Sequence, residues 1–261
     1  MEIAGARIWI TGASSGIGAA LARELADRGA RVAISARNAD ALAEVAGDRM
    51  VVVPLDVTDR AAAVAAGQAV REALGGLDVA VLNAGTWSQF HVEPWHSQAF
   101  ADHLQVNLMG AVHTMEAVVP QMLADGRGRI VGMASVAGYR GLPGSEAYGA
   151  SKAALLNLLE ALRGSLGPRG VVVQTLSPGF VRTAMTDRNR FPMPFMVEPA
   201  AAAATIADGI ARDKAEIVFP LPMMLAMKVA RLVPTRAWTA TTAALARRGL
   251  HGGPSRRADR G

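Results

Sequence analysis

Cysteine is absent from the 261 residues. That excludes a disulfide framework, a thiolate nucleophile and a cysteine-bound metal, and it suits a reducing, cytoplasmic setting. No apolar run is long enough for a confident membrane span. The opening stretch, MEIAGARIWITGASSG, has no basic region ahead of an apolar run, so no signal peptide is expected. Tyrosine occurs twice, at 139 and 148. Acidic residues almost vanish at the C-terminal end: from Phe219 onward there are eight basic residues and one acidic one, while the preceding 218 residues carry 19 basic and 21 acidic. The main body is therefore near neutral, which argues against a nucleic-acid-binding face. The net charge of +5 belongs to a local feature. His91 and His96 lack a third ligand at recognisable spacing, so no metal is expected.

Short apolar runs alternate with helical patterns. ARIWITG, RVAISAR, MVVVPLDV, LDVAVLNAG, GRIVGMAS, VVVQTLSPG and EIVFP read as seven strands. Helices follow them, including a long one over roughly 98–124 and one opened by Tyr148. This alternation predicts an α/β, Rossmann-type, doubly wound fold: a seven-stranded parallel sheet with helices on both faces. No repeat or linker interrupts it, so residues 1–218 read as one domain. Residues 219–249 read as an apolar and basic extension, and 250–261 as a disordered tail.

ITGASSGIGAALA places Gly12, Gly16 and Gly18 between the first strand and the first helix. Glycine permits a tight turn and close backbone approach, and a helix N-terminus offers N–H groups and a favourable dipole to a pyrophosphate. The spacing is G-x-x-x-G-x-G. At the end of the second strand, ISARNAD puts Ala36 where an NAD-preferring fold usually carries an acid, and Arg37 follows. An arginine fork suits a 2′-phosphate, and Ser14 and Ser15 add hydroxyl donors. The expected cofactor is NADP(H) rather than NAD(H). Asp56 and Val57, ending the third strand, are placed at the adenine slot.

Tyr148 and Lys152 lie four residues apart, on one helical face and about 6 Å apart along its axis. A phenol has a pKa near about 10 and is a poor base at neutral pH. A neighbouring cation favours the phenolate. Such a pair could exchange a proton with an alcohol or carbonyl and hold a nicotinamide ribose. Tyr139 has Pro143 at the same offset and cannot play this part. Ser135 follows the fifth strand, where ligands gather in an open α/β sheet. Asn107 falls inside the long predicted helix, a mildly unfavourable place, and would distort it or hold a water.

In this order TGASSGIG (11–18), NAG (83–85), Asn107, Ser135, YGASK (148–152) and PGFVRT (178–183) resemble the short-chain dehydrogenase/reductase family. The resemblance covers about residues 5–215. It implies a catalytic tetrad of Asn107, Ser135, Tyr148 and Lys152. Tyr148 is then the proton donor or acceptor, and Ser135 orients the substrate oxygen. Lys152 lowers the phenol pKa and holds the ribose, and Asn107 places a water. The resemblance adds Ile17, Asn83, Ala84, Gly85, Pro178, Gly179, Val181 and Thr183 to the cofactor wall, and implies a homodimer or homotetramer. Substrate contacts are expected from Trp87, Leu142 and Met185 beside Ser135 and Tyr148, and their apolar character suggests a hydrophobic ketone or secondary alcohol. Residues 219–249 fit three roles: a pocket cap, a subunit contact, or a helix on a membrane surface. The activity so implied is an NADP(H)-dependent carbonyl reductase or alcohol dehydrogenase. The alternative is a regulatory NADP(H)-binding protein of the same fold without turnover, against which the four tetrad positions speak.

Overall fold

The computed structural model describes residues 1–187, 189 and 192–249, apart from the side chains of 245–249. The expected tail at 250–261 lies outside them. Seven parallel strands form one sheet: β1 (Arg7–Thr11), β2 (Arg31–Ser35), β3 (Val51–Val52), β4 (Val79–Leu82), β5 (Gly128–Met133), β6 (Val171–Pro178) and β7 (Glu216–Phe219). Their spatial order is β3-β2-β1-β4-β5-β6-β7. The order reverses between β1 and β4, and a crevice opens there beyond the carboxyl ends of the strands.

The helices are α1 (Gly16–Asp27), α2 (Ala39–Ala46), α3 (Arg60–Leu74), α4 (Gln98–Leu104), α5 (Gly110–Ala124), α6 (Glu146–Leu166), α7 (Pro199–Ala211), α8 (Leu221–Leu232) and α9 (Thr235–Gly249). Alternation along the strands assigns side chains to the two faces. Ile8, Ile10, Val79 and Val81 pack with Leu21, Leu25, Ile206 and Ile210 of α1 and α7. Their neighbours Trp9, Ala80 and Leu82 pack with Val70, Met115, Leu155 and Leu159 of α3, α5 and α6. Each such side chain, fully buried, contributes on the order of 1.5–3 kcal/mol. Both sheet faces are thus covered, which is why the strands read as continuous apolar runs.

Two expectations are corrected. The third strand is two residues long, not the eight of MVVVPLDV. Pro54 has no N–H to give the ladder and ends regular pairing at this sheet edge. Val53 N and Leu55 N still reach the carbonyls of Ile34 and Ala36 on either side of it. The long helix of 98–124 is not uniform either: Gln105–Met109 form a π-helical turn between α4 and α5. The local distortion expected at Asn107 is this turn.

Candidate active site

The early helices differ in how they begin. Asn38 Oδ1 accepts from Ala41 N at the start of α2, and Asp59 Oδ1 accepts from Ala62 N at the start of α3. By contrast, α1 has no side-chain cap and no acidic residue in its first turn. Its first backbone bond runs from Ala19 N to Ser15 O. The N–H groups of Gly16, Ile17 and Gly18 therefore lack an intrahelical partner, and these residues face the crevice. Gly12 sits at φ +69, and a Cβ there would lie 2.6 Å from Ala84 Cα. A Cβ on Gly18 would lie 2.4 Å from Asn83 Nδ2 and 2.5 Å from Gly12 O. Asn83 Nδ2 donates to the carbonyls of Thr11 and Gly12, both at 2.9 Å, and so fixes the turn. A dinucleotide pyrophosphate fits this cradle: bare N–H groups, a positive dipole end and no competing carboxylate.

Ser135, extended at the end of β5, is buried, and its Oγ accepts from Ala137 N at 3.1 Å. Tyr148 lies in the first turn of α6, not at its first residue. Lys152, one turn on, is 2 % exposed; its Nζ donates to Met133 O at 2.6 Å and stands 5.7 Å from the centre of the Tyr148 ring. Asn107 lies behind the crevice wall. Its Oδ1 accepts from Thr86 N at 2.7 Å, while its Nδ2 donates to Thr86 O at 3.0 Å and to Ser151 Oγ at 2.9 Å. Ser151 Oγ in turn donates to Tyr148 O at 2.7 Å. The asparagine thus ties the segment after β4 to the helix carrying Tyr148.

The crevice has a volume of about 1610 Å³. Every cofactor residue expected from the sequence lines it, from the Gly12–Gly18 turn and Arg37 to Thr183, and so do Trp87, Leu142 and Met185, whereas Phe90, His91, Trp95 and His96, read from the sequence as part of the same wall as Trp87, do not; of the tetrad, Ser135, Tyr148 and Lys152 line it and Asn107 does not. Arg37 is exposed at its rim. The Asp56 carboxyl lies below its ordinary range, first through the Thr58 backbone N–H and also through the Thr58 hydroxyl and the Arg37 charge. Among the described residues no group of three or more His, Asp or Glu side chains could hold a metal.

One electrostatic expectation is revised. Tyr148 keeps some exposure to the crevice, yet the protein packed around it pushes the phenol up, and its contact with Ser135 opposes this less strongly. In the chain by itself burial thus outweighs any pull from Lys152. The lysine is buried as well, which brings it down from 10.5 to about 8, and its Nζ is engaged by a carbonyl rather than by the phenol. A base whose pKa falls on folding binds fewer protons than the unfolded chain between those two values. Its stability cost is then full below about 8 and is relieved as pH rises toward 10.5. Relative to a Lys152→Met variant, the wild-type chain should gain stability over that window in urea unfolding. Parallel pH curves for the two would contradict the assignment.

Sequence reading missed His103, which shapes the site. His103, on α4 and one turn before Asn107, is 2 % exposed. Its Nε2 accepts from Ser88 N at 3.1 Å, so Nδ1 carries the proton and donates to Ala99 O at 2.6 Å. Its ring meets Tyr148 edge-on, with centroids 6.3 Å apart. The segment after β4 is therefore pinned at alternate residues: Thr86 by Asn107, Ser88 by His103, and Phe90 N by Gly144 O at 2.9 Å. Between the pins, Trp87 and Gln89 line the crevice. His103→Leu should raise KM for substrate about three- to tenfold, the cost of one unmade hydrogen bond, with cofactor affinity unchanged. His103→Gln, which keeps an acceptor, should restore most of the loss. If His103→Leu lowered kcat and cofactor affinity equally, the role would be general stability instead.

The model of the short chain dehydrogenase family matches residues 6–192. The chain belongs to the short-chain dehydrogenase family. Its members are oxidoreductases, and the similar proteins agree. An uncharacterized oxidoreductase of Myxococcus xanthus strain DK1622 is 40% identical over 233 residues, covering 86% of this chain and 91% of the relative. An uncharacterized oxidoreductase of Staphylococcus aureus strain N315 is 34% identical over 181 residues, covering 68% of this chain and 78% of the relative. Among solved structures, a short-chain dehydrogenase/reductase from Burkholderia phymatum in complex with NAD superposes with a TM-score of 0.80 at 27% identity, over 87% of this chain and 93% of the other. A short-chain dehydrogenase from Streptomyces avermitilis superposes with the same score and identity, over 93% and 98%.

Proposed function

We propose that this short-chain dehydrogenase is an NADP(H)-dependent carbonyl reductase or alcohol dehydrogenase acting on a hydrophobic ketone or secondary alcohol. The observation that carries the reading is the convergence, in one crevice, of an uncapped helix N-terminus with Ser135, Tyr148 and Lys152. The Burkholderia phymatum relative binds NAD, which supports a nicotinamide dinucleotide as the cofactor class. The choice of NADP(H) rests on Ala36 and Arg37 at the end of β2.

In this reading the α1 N-terminus and the Gly12–Gly18 turn hold the pyrophosphate, Asp56 and Val57 border the adenine, and Arg37 with Ser14 meets the 2′-phosphate. Lys152 holds the nicotinamide ribose, and Val181 and Thr183 its carboxamide. When bound, the nicotinamide supplies the hydride to the carbonyl carbon. Ser135 Oγ donates to the carbonyl oxygen, and Tyr148 Oη gives that oxygen its proton. A phenol kept neutral is in the correct state to donate that proton. Trp87, Leu142, Met185 and Met223 make the apolar wall, with the Gln89 amide beside Trp87. The family context supports a cytoplasmic homo-oligomer, with Leu104 and Met109 as exposed apolar residues on the helices that would meet. The test is turnover: loss of reduced-nicotinamide absorbance when the full chain, NADPH and a panel of aryl and long-chain ketones are mixed. NADPH binding without turnover of any ketone or alcohol would favour the non-catalytic alternative.

A further inference from the structure

Helix α8 has two apolar faces. On the inner one, Met227 and Ala230 are buried, and Met223 and Met227 line the crevice. On the outer one stand Leu221, Leu225, Val229 and Leu232, at 61%, 53%, 61% and 83% exposure. Spacings of four, four and three residues put these on one side of the helix. Helices with apolar residues all round are normally buried all round. Here the outer stripe stands more than half exposed, and an exposed contiguous apolar surface marks a contact.

The charge around the stripe selects the occupant. Lys228 is balanced by Glu216 at 2.7 Å. Arg231 lies over the Tyr139 ring, 5.7 Å from its centre, and has no acidic partner among the described residues; Arg236 follows on α9, exposed and likewise without one among them. Beyond them the sequence adds Arg247, Arg248, Arg256, Arg257 and Arg260 against a single Asp259. A second copy meeting this stripe about a two-fold axis would bring Arg231 and Arg236 toward their own kind. An anionic surface would draw them in. Among the described residues no helix is long and apolar enough to cross a membrane, but a helix with exposed leucines flanked by arginine suits the bilayer interface.

We propose that the outer face of α8 docks on the surface of an anionic phospholipid bilayer and so holds the wall of the crevice at the membrane. The docking itself stands on the stripe and its charge. That an apolar substrate enters from the lipid, past Met223 and Met227, rests in addition on the proposed function.

Co-sedimentation of the full chain with vesicles tests it, using phosphatidylcholine alone and an equal mixture with phosphatidylglycerol. The wild-type chain should move with the mixed vesicles, less so at high salt, and stay in solution with the neutral ones. Leu225→Glu/Val229→Glu, at exposed positions outside the crevice, should lower the partition about tenfold or more. Its melting temperature and its turnover of a water-soluble ketone should match the wild type, so a failure of the activity reading is seen separately. Equal sedimentation of variant and wild type would overturn the proposal. So would solution behaviour with both vesicle types, including the case where sedimentation velocity shows a self-association that the double variant abolishes.

Discussion

Tyr148→Phe should lower kcat by about a thousandfold while NADPH affinity stays within about twofold. The substitution removes one hydroxyl and keeps the ring, so the edge contact with His103 and the hydrogen bonds of the Tyr148 backbone persist. What goes is the donor that gives the new alkoxide its proton. Ser135 cannot take over fully, because its aliphatic hydroxyl is a far weaker acid than a phenol. The melting temperature of the variant should equal or slightly exceed that of the wild type, since a polar group that the protein crowds is removed. The raised phenol pKa adds a pH test: reduction should hold across neutral pH, where the phenol is protonated, and fall in alkali as it ionises. Oxidation of the alcohol should show the opposite limb, because the phenol must then accept a proton. Turnover in the variant within tenfold of wild type would assign proton transfer to another group and remove Tyr148 from its proposed role.

How much of this was legible in the sequence depends on the range of the interaction. The sheet was legible because its central strands are buried on both faces and each helix follows at the βα spacing, both short-range patterns. The dinucleotide turn was legible for the same reason: Gly12, Gly16 and Gly18 act within one loop. The shortened β3 was available as well, since Pro54 stands inside the apolar run and cannot give a hydrogen bond. His103 and Ser151 were not. Each works by reaching a segment that is remote in the chain, Ser88 for the first and Asn107 for the second. His103 does share a helical face with Asn107, and two polar residues on the buried side of an apolar helix were a signal. Knowing what they hold required the path of residues 86–90. The C-terminal helices are intermediate: their composition was plain, but that α8 turns Met223 and Met227 into the crevice and leaves four apolar side chains outside is a matter of packing.

Cofactor choice is where sequence and geometry meet most directly, and Arg37→Ala should weaken NADPH about a hundredfold with NADH changed less than about twofold. A charge-assisted hydrogen bond contributes on the order of 1.5–3 kcal/mol, and a guanidinium can make two to a single phosphate. Arg37 sits at the crevice rim beyond β2, with Ala36 before it and Asn38 capping α2 after it. Its backbone position is therefore fixed while its side chain reaches outward. NADH has no 2′-phosphate, so removing the guanidinium takes nothing from it. Because Arg37 is exposed, the NADPH advantage should shrink as salt is raised, and the variant should lose that salt dependence. The converse change, Ala36→Asp, should favour NADH: a carboxylate there accepts from the ribose hydroxyls and repels the 2′-phosphate. The measurement is the ratio of kcat/KM for the two cofactors in each variant. Equal losses for NADPH and NADH in Arg37→Ala would mean that the arginine supports the loop rather than the phosphate, and the preference would have to be sought at Ser14, Ser15 and Asn38 on the same side of the crevice.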